Sequence, residues 1–260
     1  MSSLRGLRIL NTRAVHQAAS LTNAIKQRRG ISIEIPLISI QSPRDKNKRS
    51  NQLNGIFQCD WVIFTSANGF YFTRKAIEEC GYSLLDVLQT KKIAVVGKKT
   101  GKILEREGYS PALSPAQFDA EHLAEALIEE SSAEETFFYP RSSQSRNVLT
   151  DRLAKSGRKI FDMVAYETVS NTDQQKRLND LVGRRELDVI LLTSPSAVRS
   201  FFSQLEKEHR PYVTSQLIFA AVGVVTAEAL SRYDIEKLII PNEFTLDAVL
   251  SKLVEYRENI

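Results

Sequence analysis

Two stretches of this chain are near-copies of one turn. Phe64-Thr65-Ser66-Ala67-Asn68-Gly69-Phe70 and Leu192-Thr193-Ser194-Pro195-Ser196-Ala197-Val198 each close an apolar strand-like run and open a helix-like one, with Ser66 and Ser194 lying 128 positions apart. Downstream of each, an apolar run ends on glycine: Ile93-Ala94-Val95-Val96-Gly97 with Thr100, then Phe219-Ala220-Ala221-Val222-Gly223 with Thr226, 126 apart. Ser114-Pro115-Ala116-Gln117-Phe118 and Ile240-Pro241-Asn242-Glu243-Phe244 keep the interval of 126, and Arg13 after Ile9-Leu10-Asn11-Thr12 matches Arg141 after Phe138-Tyr139-Pro140 at 128. A period this long lies outside the range of short solenoid repeats, so it marks duplication of a whole domain and points to a ligand held between two similar halves.

At 260 residues the chain supports one large or two modest domains, and the duplication decides for two. Charged residues make up 25% and apolar ones 42%, ordinary globular proportions. No apolar run approaches the roughly 18 to 20 residues of a membrane span, and the start Met1-Ser2-Ser3-Leu4-Arg5-Gly6 lacks a secretory pattern, so a soluble, cytoplasmic protein is expected. Cys59 and Cys80 have no paired spacing and are expected as free, buried thiols. A net charge of +4 suits an anionic ligand without identifying one. The basic stretch Arg44-Asp45-Lys46-Asn47-Lys48-Arg49 reads as a solvated loop; with no aromatic residue among its charges, nucleic-acid binding is not expected.

Residues 7–10, 61–65, 92–96, 136–139, 188–193, 217–222 and 237–240 read as strands, with helices between them. After Ser194 the apolar positions Val198, Phe201, Phe202 and Leu205 follow helical spacing, with serine as N-cap and proline in the first turn. Such alternation predicts an α/β fold of parallel sheets covered by helices on both faces, with ligands beyond the carboxyl ends of the strands. Every duplicated motif sits at such an end. The extended segments 36–40 and 163–169 break the alternation and read as connectors lying side by side as a two-stranded hinge. Residues 1–35 and 170–260 would then form one discontinuous domain, residues 41–162 the other.

Ser66 with Ala67, Ser194, Gly97 and Gly223 open helices whose free N–H groups and dipole favour anions, although serine there also serves simply as a cap. Thr100 and Thr226 either turn a hydroxyl to the ligand or cap the first turn. Lys98 and Lys99 flank the first glycine turn where Val224 and Val225 flank the second, so carboxylates are expected mainly at the first. The string Gly97-Lys98-Lys99-Thr100 is no P-loop, because the position five before Gly97 is Lys92 rather than glycine. Arg13 and Arg141 could each clamp a carboxylate or pair with an acid of their own domain. His16, His122 and His209 have no metal-ligand spacing, and neither a G-x-S-x-G elbow nor a G-x-G-x-x-G fingerprint occurs.

Taken together, the paired Thr-Ser turns, the paired G-x-x-T turns, the strand end Tyr139-Pro140-Arg141 and the segment Val164-Ala165-Tyr166-Glu167-Thr168 resemble the uroporphyrinogen-III synthase family over nearly the whole chain. No single motif is specific; their order and spacing carry the resemblance. It implies two flavodoxin-like domains joined by a two-stranded linker, with the active site in the cleft between them. It implies a cofactor-free, metal-free hydro-lyase of heme biosynthesis, monomeric, closing hydroxymethylbilane into uroporphyrinogen III with inversion of the last pyrrole. Hydroxymethylbilane synthase would hand over the substrate. Tyr166 matches the family's tyrosine at this position and would act as a weak acid, and Thr100 and Thr226 would contact ligand. The rival reading is a two-lobed, non-catalytic binding protein for a polycarboxylate or other small anion, which would show the same duplication and the same helix starts.

Overall fold

Trp61–Phe64 and Val189–Leu192 are buried at every position, as strands must be when both faces of a parallel sheet are covered. In the computed structural model, which describes residues 3–258, ten strands follow one another along the chain. They are β1 (Arg8–Asn11), β2 (Ile31–Glu34), β3 (Ile38–Gln41), β4 (Trp61–Phe64), β5 (Lys92–Val95), β6 (Phe137–Ser142), β7 (Ile160–Ser170), β8 (Val189–Leu192), β9 (Ile218–Ala221) and β10 (Leu238–Ile239). Two five-stranded sheets result, ordered β10-β9-β8-β1-β2 and β3-β7-β6-β4-β5. The chain divides into two compact units, Met1–Ile40 with Val169–Ile260, and Gln41–Thr168. It passes between them inside β3 and inside β7, which are neighbours in the second sheet.

The pairings of the first sheet are parallel, as are β5-β4, β4-β6 and β6-β7 of the second. In chain order the strands of the first unit lie 2-1-3-4-5, the flavodoxin-like arrangement. The second unit has the same spatial order begun elsewhere: β6 and β7 hold the places of β1 and β2, and β4 and β5 those of β8 and β9. Even the edge is duplicated. Ile239 of β10 pairs with Ala220, and 126 positions earlier Leu113 makes an isolated parallel bridge to Ala94.

Alternate residues of each strand feed opposite faces of its sheet. Ile190 and Leu192 of β8 join Phe201, Phe202 and Phe219 in one core, while Val189 and Leu191 join Leu21, Ile25, Leu250 and Leu253 in another. In the second unit Val62 and Phe64 of β4 face Phe70, Ile77 and Leu104, while Trp61 and Ile63 face Leu123, Leu127 and Leu153. No helix among the described residues is long and apolar enough to cross a membrane.

Two sequence expectations change and one holds. The extended segments 36–40 and 163–169, read as a two-stranded linker, fall in the neighbouring strands β3 and β7 of the second sheet; β7 is eleven residues long and carries polar Asp162 and Glu167 among its apolar residues. The basic stretch begins a helix, Lys46–Leu53, capped by Asp45, whose carboxylate accepts the Lys48 N–H at 2.9 Å. That helix buries only Arg49 and Leu53, too little apolar surface to leave a periodic signal, and Arg49 pairs with Glu79. Of the two thiols only Cys59 is buried, which pushes its pKa up to about 12, whereas Cys80 is exposed.

Gly55 packs directly under β7: a Cβ there would stand 2.5 Å from Phe161 Cβ. Replacing Gly55 by alanine forces the ring or the backbone aside, and we expect a loss of about 1–3 kcal/mol in urea unfolding. A change below about 0.5 kcal/mol, the size of an ordinary surface substitution, would contradict this packing role.

Candidate active site

Parallel register sets the site. Phe64 pairs with Val95, and Ser66 and Gly97 each follow two residues later. Leu192 pairs with Ala221, and Ser194 and Gly223 again follow two residues later. Each unit therefore places a serine turn beside a glycine turn at the carboxyl ends of adjacent strands. The reversals of strand order fall next to them, between β4 and β6 in one sheet and between β8 and β1 in the other, where open α/β sheets hold their ligands.

Both serines cap helices. Ser66 Oγ accepts the Gly69 N–H at 3.0 Å and opens the helix Ala67–Glu79; Ser194 Oγ accepts the Ala197 N–H at 3.2 Å and opens Pro195–Gln204. The first of these helices starts hard against β6, since a Cβ on Gly69 would lie 3.1 Å from the Pro140 carbonyl oxygen. Gly97 and Gly223 open Lys98–Arg106 and Val224–Leu230 without any side-chain cap. Their φ angles, −140° and −156°, suit any residue, and a Cβ would meet nothing closer than 4.0 Å at Gly97 or 3.5 Å at Gly223. Neither conformation nor crowding asks for glycine here. What glycine leaves is bare backbone at a helix start, which a ligand can approach closely.

A register shift in the β6–β7 pairing, between Arg141 and Ser142, sets Tyr166 opposite Ser142. The half-buried Tyr166 ring stacks on Phe72 with centroids 5.7 Å apart, and its hydroxyl lies 3.0 Å from Ser66 Oγ. Burial pushes the phenol pKa above that of an ordinary tyrosine, opposed by hydrogen bonds from Ser66 and Ser142. The phenol therefore keeps its proton at neutral pH. Ser66 Oγ accepts from Gly69 and keeps a second lone pair, so either hydroxyl of the Ser66–Tyr166 pair can be the donor; when serine donates, the phenol proton is free for another acceptor. Thr65 and Tyr139 add a second hydroxyl contact, at 3.4 Å. The position 128 residues before Tyr166 is Ile38, so this proton donor exists in one copy only.

The two arginines differ. Arg141 Nε donates to Asp162 Oδ2 at 2.5 Å, so it already has an acid of its own unit. Half-buried Arg13 donates to Gln17 Oε1 at 3.1 Å, has no carboxylate partner among the described residues, and leaves its Nε buried without a hydrogen bond. Its burial lowers its pKa, yet a guanidinium stays charged, which makes it a cation with no carboxylate beside it among the described residues. Lys98 and Lys99 are exposed beside Gly97, as Val224 and Val225 are beside Gly223. Thr100 and Thr226 are buried in their first turns, 7% and 4% exposed. Of the histidines, His209 stands with Glu206 and Glu208, one potential ligand atom of each within 4.8 Å, on an exposed turn.

Sequence reasoning missed Thr12, whose hydroxyl reaches across the strand reversal to the Leu191 carbonyl at 2.9 Å, and Asn11, whose amide ties β1 to the helix Val15–Gln27 through Ala18 O at 3.0 Å. It also missed Ser142 and Phe72, which position Tyr166. Polar residues closing an apolar strand were the available signal for the first two; Phe72 gave none.

A family model described as uroporphyrinogen-III synthase HemD matches residues 19–251. The chain is 28% identical to a uroporphyrinogen-III synthase of Chlorobaculum parvum over 91% of this chain and 93% of the relative. It is 27% identical to that of Synechococcus elongatus, covering 97% and 96%. In fold it is similar to a uroporphyrinogen-III synthetase of Helicobacter pylori, TM-score 0.64 at 17% identity over 96% of this chain and 99% of that one. A mutant uroporphyrinogen III synthase of Thermus thermophilus gives 0.63 at 16%, over 98% and 100%.

Because folding raises the Tyr166 pKa, its contribution to stability is complete below about pH 10, the ordinary tyrosine value, and is lost as pH rises through the folded-state pKa. Ser66→Ala removes a hydrogen bond that lowers this pKa, so the Tyr166 titration should move further up, while the lost cap costs about 1 kcal/mol. Tyrosine ultraviolet titration against Tyr166→Phe reads both; a downward move on Ser66→Ala would exclude the pairing.

Proposed function

The chain belongs to the uroporphyrinogen-III synthase family, and on that premise we propose that it is a hydro-lyase closing hydroxymethylbilane into uroporphyrinogen III. The observation that carries this reading is the neutral Tyr166 phenol, bonded to Ser66 at a strand reversal, with the uncapped Gly97 turn on the neighbouring strand. The substrate is a linear tetrapyrrole with eight carboxylates, which require many modest anion contacts. Helix starts at Ser66 and Ala67, Gly97, Ser194 and Gly223 are suited to supply them, and Arg13 adds a positive charge whose Nε has no hydrogen-bond partner among the described residues. Lys98 and Lys99 draw carboxylates toward the Gly97 turn. Thr100 and Thr226 are buried in the first turns beside those starts, and Arg141 acts through its pair with Asp162.

In the reaction the terminal hydroxyl leaves as water, giving an azafulvene. Attack by an already substituted carbon of the last pyrrole then forms a spiro intermediate. The bond from that carbon to the methylene of the third pyrrole breaks, giving a second azafulvene, and the free α-carbon of the now inverted ring attacks it and loses a proton to close the macrocycle. Tyr166 donates a hydrogen bond to the departing oxygen. The rest of the rate comes from holding a reactive chain in the folded shape that favours inversion over simple closure. The same reading makes the protein a cytoplasmic monomer, needing no metal or organic cofactor, that takes its unstable substrate from hydroxymethylbilane synthase.

The deciding assay adds the protein to freshly generated hydroxymethylbilane and separates the oxidised type I and type III isomers. Excess type III is expected; type I alone, at the spontaneous rate, would leave a non-catalytic anion-binding protein. Tyr166→Phe should lower kcat about tenfold with KM little changed, since the phenol acts on the leaving group rather than on a carboxylate. Gly97→Ala should raise KM several-fold while thermal stability stays near wild type, because nothing in the fold occupies the space of the added methyl.

A further inference from the structure

Phe118 and Phe244 stand at one position of the repeat, 126 apart, and are 53% and 61% exposed. Each lies against a glycine turn: a Cβ on Gly97 would be 4.0 Å from Phe118 Cβ, and one on Gly223 would be 3.5 Å from Phe244 Cγ. Exposed Phe57, by contrast, packs on Tyr82 with ring centroids 4.9 Å apart, whereas neither Phe118 nor Phe244 has a ring partner among the described residues. Full burial of such a side chain is worth about 1.5–3 kcal/mol. Leaving it in water at the same place in both copies answers no need of the fold.

Phe118 walls a groove of about 630 Å³ within the second unit, a size common for small-molecule sites. Pro111 and Pro115 add apolar surface, and Lys98 and Lys102 add charge, with Lys98 Nζ 5.8 Å from the Phe118 ring centroid. Glu105 also lines the groove, so two cations and one acid face it. At the corresponding positions of the first unit, Val224 replaces Lys98 and Glu228 replaces Lys102. The aromatic ring survives the loss of both cations, so its purpose is not to hold a lysine. A flat apolar wall beside a cation fits a flat ring that carries an acid.

We propose that Phe118, Lys98 and Lys102 form a subsite for one pyrrole ring of the substrate, the ring lying against Phe118 and its carboxylate arm reaching the lysines. This rests on the function proposed above. Phe244 offers the matching wall in the first unit without the charge.

Two measurements test it. In hydroxymethylbilane turnover, Phe118→Leu should raise KM about fivefold with kcat changed less than twofold, and Lys102→Gln should raise KM and flatten its dependence on salt. Thermal midpoints should stay near wild type, because both side chains are largely outside the core. Unchanged KM in both variants overturns the subsite. In calorimetry, porphobilinogen, a single pyrrole with an acetate and a propionate arm, should bind wild type more tightly than Phe118→Leu; equal binding, or none to wild type, also overturns it. A wild type that makes no type III isomer yet binds porphobilinogen through Phe118 would refute the proposed reaction and keep the subsite.

Discussion

Parallel strand register is the constraint on which the rest depends. Pairing of Phe64 with Val95 and of Leu192 with Ala221 makes neighbouring strands end level, so residues two positions beyond each pair emerge side by side. Hydrogen bonding of the ladder and burial of both sheet faces hold that register, since a slip by one residue would turn every core side chain to the wrong face. The serine and glycine turns inherit their spacing from it. Placing Tyr166 needs one more device, the irregularity between Arg141 and Ser142, which sets a polar residue of β7 opposite Ser142.

Duplication supplied two similar frames, and small changes gave them separate duties. Both keep a capping serine and an uncapped glycine. Beside its glycine turn one has lysines where the other has exposed valines; Tyr166 has no tyrosine at the matching position, and of the paired arginines Arg141 is tied to Asp162 while Arg13 has no carboxylate partner among the described residues. Uncapped backbone at a helix start is thus common to both, while the phenol and the paired lysines belong to one. The substrate is itself a row of four similar rings of which only the last is inverted, and an enzyme for it needs this mixture of repetition and difference.

Much of this was legible in the sequence because backbone motifs leave local signals. The Thr-Ser and glycine turns, the buried strands and the capped helix after Ser194 rest on residues close in the chain, and the internal repeat showed which of them mattered. Contacts between distant residues were not legible. Ser66 and Tyr166 are a hundred residues apart, and their hydrogen bond exists only because β7 lies beside β6 and β6 beside β4. The pairing of Arg141 with Asp162 realises one of the two roles that the sequence left open. The helix Lys46–Leu53 escaped because it buries little and so carries weak hydrophobic periodicity.

The second unit is threaded into the first, entering within β3 and leaving within β7. Ile9 must find Val189, a partner made 180 residues later, before the first sheet can close. During synthesis from the N-terminus, at roughly 5–20 residues per second, the inserted unit is complete while β1 and β2 still wait. Order of manufacture therefore reverses order of appearance: the half that begins the chain is the last to become a domain, and the half that carries the phenol is finished first.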